Sequence, residues 1–270
     1  MADPVVWLSI FLLGVLALCA LIALLGLVPH DPYELNVSNR FQPPSWEHWL
    51  GTDNLGRDTF SRIVYGSRVA LYISLVGVGS AMCLGLLIGT IAGYGPRWLD
   101  NAILFVLDSA RTFPTILLAM IIVTISGPSI NTIVAIVIVS TLSGYVRLVR
   151  TQTLSLKNRV FIQAERSLGA GPIRIVSQHV IPNILSPLLI IACMDIPTVI
   201  TLEAGLSFLG LGIRPPTASW GTTLQDGYAF IRNTPWLLVA ASLPLISATL
   251  GFTFLGEALR DWLDPNLVNK

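Results

Sequence analysis

From Val5 to Val28 the chain runs 24 residues without a charged side chain. As a helix that run is about 36 Å long at about 1.5 Å per residue, against a hydrocarbon core of about 30 Å. Five more apolar segments follow: Val69 to Tyr94, Ala102 to Ser126, Thr132 to Tyr145, Ile184 to Leu211 and Trp236 to Gly256. With 53% hydrophobic and 11% charged residues, against about 25% charged in soluble domains, a soluble globule is excluded. The runs are continuous rather than alternating, which selects helices over barrel strands. The predicted fold class is an all-α membrane protein with six transmembrane helices. The fourth segment falls below the usual spanning length of about 17 to 25 residues and is expected to borrow Ile130, Asn131 and Arg147. The first exceeds the apolar core of a signal peptide, about 7 to 15 residues, and no small-x-small site follows Val28, so a retained helix is expected.

Sixteen basic and fifteen acidic residues leave a net charge of +1, which provides no footprint for nucleic acid. Placement says more than the total. Arg147, Arg150, Lys157, Arg159, Arg166 and Arg174 crowd the segment between helices four and five. With Arg97, Arg260 and Lys270 they mark one side as cytoplasmic and put both termini there. The opposite side holds Arg40, Arg57, Arg62, Arg68, Arg214 and Arg232, with an outer loop at Pro29 to Ser67, a short outer turn at Gly127 to Ser129 and a second outer loop at Gly212 to Pro235. Cys19, Cys83 and Cys193 lie singly in apolar runs without metal-ligand spacing, as inert buried thiols do. Helix two repeats Ala81, Gly85, Gly89 and Gly93 on one face; close helix-helix contact is expected there, with a substrate path as the alternative.

The cytoplasmic loop reads KNRVFIQAERSL from Lys157 to Leu168, then GAGP, then IRIVSQHVI up to Pro182. Two short helices about a glycine hinge are predicted. Val160, Phe161, Ala164 and Leu168 fall on one face of the first, with Lys157, Arg159, Glu165 and Arg166 around the rest. Such a helix either lies on a lipid or protein surface or docks to a cytoplasmic partner.

Gln163-Ala164-Glu165-Arg166-Ser167-Leu168-Gly169-Ala170, followed by His179-Val180-Ile181-Pro182-Asn183, resembles the EAA loop of type I ABC importer permeases, with Gln163-Ala164-Glu165 where that pattern has Glu-Ala-Ala. Leu50 to Asp58 with Ser61-Arg62 and Gly66-Ser67-Arg68 is similar to the GTDxxGRDxxSR stretch of C-type permeases of the dipeptide/oligopeptide/nickel group. Leu206 to Gly212, with Pro215-Pro216 and Trp220-Gly221, and Gly256 to Pro265 are similar to the LSFLGLG and GDxLRDxLDP stretches of the same group, with Glu257 for the usual Asp. The resemblance runs from about Trp49 to Pro265. It implies a permease subunit that forms the translocation pathway for short peptides, nickel or related small solutes in a bacterial or archaeal inner membrane. The implied partners are a second, distinct permease, two ABC ATPase subunits that bind ATP and Mg, an extracytoplasmic binding protein and membrane lipid. Phe161, Ala164, Glu165, Leu168, Gly169 and Ala170 are the implied contacts to the ATPase. The implied organisation is residues 1–67 as an N-terminal helix with its outer loop, and 68–270 as a permease core with a coupling loop at 147–182.

Lys157 and Lys270 are the chain's lysines and neither follows a GxxxxG loop, so this chain is not expected to hydrolyse ATP, and no catalytic residue is assigned. Asp108, Arg111, Asp195 and Glu203 lie within apolar segments, where a charge costs about 2.5 to 3.5 kcal/mol at mid-helix on insertion scales. Asp108 and Arg111 are spaced to pair on one helix, beside an expected kink at Pro114. Asp108, Asp195 and Glu203 are the candidates for the pathway or its gate. Asp53, Arg57 and Asp58 are candidates for extracytoplasmic docking, although Trp46 and Trp49 also suit simple anchoring at the interface. His30, His48 and His179 share no helical face, so no metal site is expected. Two other classes compete: a self-contained secondary transporter using the intramembrane carboxylates, and an aspartyl protease using Asp108 and Asp195. The first lacks matching halves and the second lacks a GxGD setting.

Overall fold

The computed structural model describes residues 4–263; Asp264, Pro265 and Lys270 lie outside them. In chain order the helices are α1 (Pro4–Leu25), α2 (Thr59–Tyr94), α3 (Arg97–Arg111), α4 (Thr115–Ser126), α5 (Ile130–Lys157), α6 (Val160–Ser167), α7 (Pro172–Ile175), α8 (Ile181–Phe208), α9 (Trp220–Ala229) and α10 (Pro235–Leu263). Among the described residues the only β feature is an isolated bridge between Thr52 and Asp58. Five helical runs are long and apolar enough to cross a membrane, or six if the bent pair α3 and α4 is one span.

That pair departs from the expected single helix over Ala102 to Ser126: α3 and α4 meet at 88°. Pro114 lacks an N–H and pushes Phe113 out of helical geometry, so the chain breaks at Thr112 to Pro114. The twelve residues of α4 give about 18 Å, too short to span alone. The short fourth segment, in contrast, sits within a 28-residue helix, because its polar flanks continue the turn. Asp58 caps α2, its Oδ2 accepting from the Ser61 amide at 2.8 Å. This moves the helix start well before Val69, and a division at 67/68 falls inside one unbroken helix.

The core forms where α2 lies against α5 and α8. Ile73 and Ala81 of α2, Ile133, Val137, Tyr145 and Val149 of α5, and Ile184, Leu188 and Ile200 of α8 are buried in one cluster. The glycine face of α2 is what permits the approach. A Cβ on Gly85 would stand 2.3 Å from the Tyr145 Cβ, and one on Gly89 would stand 2.7 Å from the Val146 carbonyl oxygen. The face is therefore used for packing inside this chain. On the other side of α2, α1 packs against both α2 and α10.

Overpacking a closed core costs about 1 to 3 kcal/mol. Gly89→Ala is expected to destabilise the protein by that order, whereas Gly79→Ala, whose Cβ meets nothing within 4 Å, is expected to be neutral or slightly stabilising. Melting of the two variants in detergent, side by side with the parent, checks this.

Candidate functional site: a braced short helix and an uncharged groove

The loop after α5 turns at Asn158 and starts α6, a two-turn helix anchored by one side chain. Ile162 is fully buried, in the same core as Ile175, Val180 and Ile184. Its neighbours on the helix point away: Val160 is 81% exposed, Leu168 83%, and Phe161 and Ala164 are also exposed. The apolar face read from the sequence is thus the outward face, and Ile162, which it omitted, is the inward one. Three apolar residues in consecutive order, Val160 to Ile162, concealed which of them was the anchor.

The helix ends in a Schellman turn. Gly169 adopts φ +86, with its N–H donating to Arg166 O at 3.0 Å and the Ala170 N–H to Glu165 O at 3.0 Å. A glycine takes this left-handed conformation without Cβ strain. Beyond it α7 runs into α8 through a π turn at Val176–Val180, where the Ile181 N–H donates to Val176 O. Pro182 follows, and its ring has no room against a carbonyl four residues back in a regular helix.

Polar contacts fix α6 to two spanning helices. Glu165 Oε1 lies 3.7 Å from His179 Nε2, whose ring also packs edge-on against Phe161. Arg166 Nη2 donates to the Tyr94 hydroxyl at 3.1 Å, and Lys157 Nζ donates to the Tyr94 carbonyl at 3.1 Å. Both cations also sit over the Tyr94 ring, at 5.6 and 5.2 Å from its centroid. Tyr94 ends α2, so α6 touches the α2 terminus and the α8 entry at once. Of the coupling candidates, Phe161, Ala164, Leu168 and Gly169 are exposed, while Glu165 and Ala170 are half-buried.

A groove opens on α8, lined by Met194, Thr198, Thr201 and Gly205 together with Thr249 and Thr253 of α10. The α8 residues recur every three or four positions and so form one exposed face. None of the sequence-predicted pathway carboxylates lines it. Glu203 is buried, its Oε1 accepting from Ser207 Oγ at 2.8 Å, and Ser207 Oγ in turn accepts from the Ile213 amide at 3.1 Å. It pins the LSFLGLG turn from inside rather than facing a gate. Asp108 is ion-paired with Arg147 of α5 instead of with Arg111, because the break at Pro114 lays α3 alongside α5, where Asp100 also meets Arg150 at 2.6 Å. Asp195 is half-buried and faces Tyr145 of α5.

The outer residues assigned to docking are turned inward. Asp53 is 1% exposed, Asp58 3% and Arg57 5%. Asp53 Oδ1 accepts from the Leu55 and Arg57 amides, and its Oδ2 accepts from Arg57 Nε at 2.6 Å. Arg62 Nε lies 3.6 Å from the same oxygen, while Arg62 Nη1 donates to the Pro32 carbonyl at 3.1 Å. Arg57 Nη2 reaches Asp226 of α9 at 3.4 Å. The GTDxxGRDxxSR stretch is therefore a knot that closes the loop between α1 and α2 on the α2 start and on α9. Helix α9 itself was absent from the sequence reading, although Ser219 and Thr222 form a capping box at its start. Trp220 locks it to α2, donating from Nε1 to the Ile63 carbonyl at 2.9 Å.

The chain belongs to the family described as binding-protein-dependent transport system inner membrane components, whose model matches residues 85–269, and it is a permease subunit of an ABC importer. It is 43% identical over 87% of its length to the dipeptide transport system permease protein DppC of Alkalihalophilus pseudofirmus, covering 77% of that protein. It is 37% identical to the nickel transport system permease protein NikC of Escherichia coli K12, over 95% of this chain and 93% of that one. The di/tripeptide transport system permease protein DppC of Pseudomonas aeruginosa is 39% identical, with 93% and 84% covered. The inward-facing MetNI methionine ABC transporter shares the fold: TM-score 0.61 at 18% identity, with 76% of this chain and 98% of that chain covered.

Removing one partner of a buried ion pair costs about 3 to 5 kcal/mol, so Arg57→Ala, which leaves Asp53 and Asp226 facing each other, is expected to lower the yield of folded protein sharply on size exclusion. Burial raises the Asp226 carboxyl above its ordinary 3.8, and Arg57 offsets part of the rise. A raised carboxyl means that the folded state holds the proton more tightly than the unfolded chain. The ionised form therefore costs stability as pH rises above 3.8 through the folded value, and that cost is absent below 3.8. Asp226→Asn is expected to melt higher than the parent at neutral pH, with the gap closing in acid; melting curves across pH check it.

Proposed function

We propose that α6 is the lever through which separate ATPase subunits drive this permease, and that the α8 groove is its half of a translocation pathway shared with a second, distinct permease. The observation that carries the reading is the mounting of α6. Its apolar residues Val160 and Phe161, with Leu168 just past its end, are exposed, while Ile162 and Tyr94 tie the same eight-residue helix to the core and to α2. An exposed apolar face on a short rigid helix suits insertion into a partner's groove. Force on that face reaches α2 through Tyr94 and α8 through the π turn, and a bistable bundle biased at such a point can alternate between states.

With this face on the cytoplasmic side, the knot at 50–62 and α9 lie outside, where an extracytoplasmic binding protein delivers cargo, and both termini lie inside. The excess of Lys and Arg around α6 supports that orientation. The groove is lined by Thr198, Thr201, Thr249 and Thr253, by Met194 and Gly205, and by apolar side chains such as Ile116, Leu202 and Leu209, with no charged or imidazole side chain among them. Hydroxyls and small residues accommodate peptide amides with varied side chains; a divalent ion finds no strong ligand there. Short peptides are therefore the favoured cargo, as in the relatives named for dipeptides, over nickel. ATP and Mg belong to the ATPase subunits on this reading. A proton-driven carrier is disfavoured because Asp108 is paired with Arg147 and Glu203 is held by Ser207.

Two experiments test this. In proteoliposomes of the complete transporter, Ala164→Asp or Gly169→Pro is expected to abolish peptide uptake and its stimulation of ATP hydrolysis while leaving the complex assembled; normal uptake by either variant rejects the lever. Gly205→Phe, which fills the groove, is expected to cut uptake by an order of magnitude or more with assembly intact, and unchanged uptake rejects the groove as pathway.

A further inference from the structure

The tertiary structure brings together two histidines that the sequence keeps 18 positions apart. The His30 and His48 rings lie with centroids 4.8 Å apart, and both Nδ1 atoms face the same carboxylate oxygen. His48 Nδ1 is 2.9 Å from Asp58 Oδ1 and His30 Nδ1 is 3.9 Å from it. One ligand atom from each of the three residues falls within 4.8 Å of the others. Ligands on a tetrahedral ion with bonds of about 2.0 to 2.1 Å stand about 3.3 Å apart, so the triangle needs only small adjustments to close on one ion.

Three further observations point to a ligand. His30 Nδ1 is buried with no hydrogen-bond partner, a donor atom that the fold leaves unused. Asp58 Oδ2 is occupied by the Ser61 amide, which orients Oδ1 toward the histidines as an outer-shell contact orients a metal ligand. The concavity in front of them is lined also by Asp31, Glu34 and Glu47 and by no Lys or Arg, so its field favours a cation. Two imidazoles and one carboxylate suit zinc, nickel or copper rather than calcium or magnesium.

We propose that His30, His48 and Asp58 form an extracytoplasmic site for one divalent transition-metal ion, with open coordination positions toward the acidic concavity. The ion fastens the segment that follows α1 to the cap of α2. None of the three residues lines the α8 groove, so the site is resident on the outer loop and does not depend on the cargo.

The test uses the purified complete transporter, stripped with chelator and titrated with zinc chloride or nickel chloride by calorimetry, with melting followed in parallel. His30→Ala is the informative variant, because the fold makes no hydrogen bond with that side chain; His48→Gln keeps a donor toward Asp58. The parent is expected to bind one ion per copy of this chain and to melt higher with it. Either variant is expected to lose at least tenfold in affinity together with the metal-induced rise. X-ray absorption of the zinc-loaded parent should show two imidazole nitrogens. Absence of binding to the parent, affinity unchanged in His30→Ala, or absorption without imidazole overturns the proposal.

Discussion

The contact of the α2 glycine face with α5 is the interaction on which the other features depend. In a bilayer no hydrophobic force draws apolar helices together, so close van der Waals contact does that work, and small residues permit it. At Gly85 and Gly89 the α2 backbone lies against Tyr145, Val146 and Val149. This fixes a helix of 36 residues, about 54 Å long, well beyond the hydrocarbon thickness. One end of that rod is capped by Asp58 in the knot and the other ends at Tyr94 beside α6. The two sides of the permease are thereby joined through one rigid element, and the bent pair α3 and α4 is left to follow.

Charge is handled differently at the two ends. At the Asp58 end, Asp53, Arg57 and Arg62 are withdrawn into the protein, where Asp53 pairs with Arg57 and faces Arg62, and Arg62 Nη1 donates to the Pro32 carbonyl. Such pairs contribute to a unique loop geometry more than to net stability. At the Tyr94 end, the cations near α6 act partly as apolar stems: Lys157 and Arg166 lie over the Tyr94 ring, where a cation gains from the aromatic face.

Residues whose role is set by local pattern were legible in the sequence. The spans, the glycine face of helix two and the hinge at Gly169 each follow from composition, period or a residue's own conformational range. Roles set by long-range partners were not. Asp53, Arg57 and Asp58 look like a polar surface motif in one dimension, but Arg57 finds a partner in Asp226, which lies 169 positions beyond it. Glu203 looked like a gate because its pins, Ser207 and the Ile213 amide, close only once the chain turns back. Asp108 has an acceptable partner three residues away, and only the bend at Pro114 gives it Arg147 instead.

By itself the sequence determined that the chain spans a membrane as helices and that a short helix follows α5. Each of these rests on the transfer of apolar groups out of water or on the preferences of single residues, which act within a few turns of chain. The tertiary structure alone decided which face of α6 is anchored, which carboxylates are spent on the fold, where α9 sits, and that His30, His48 and Asp58 meet. Those outcomes rest on pairings between distant segments, and a hydrogen bond or ion pair a few ångströms long exists only after packing has set the distance.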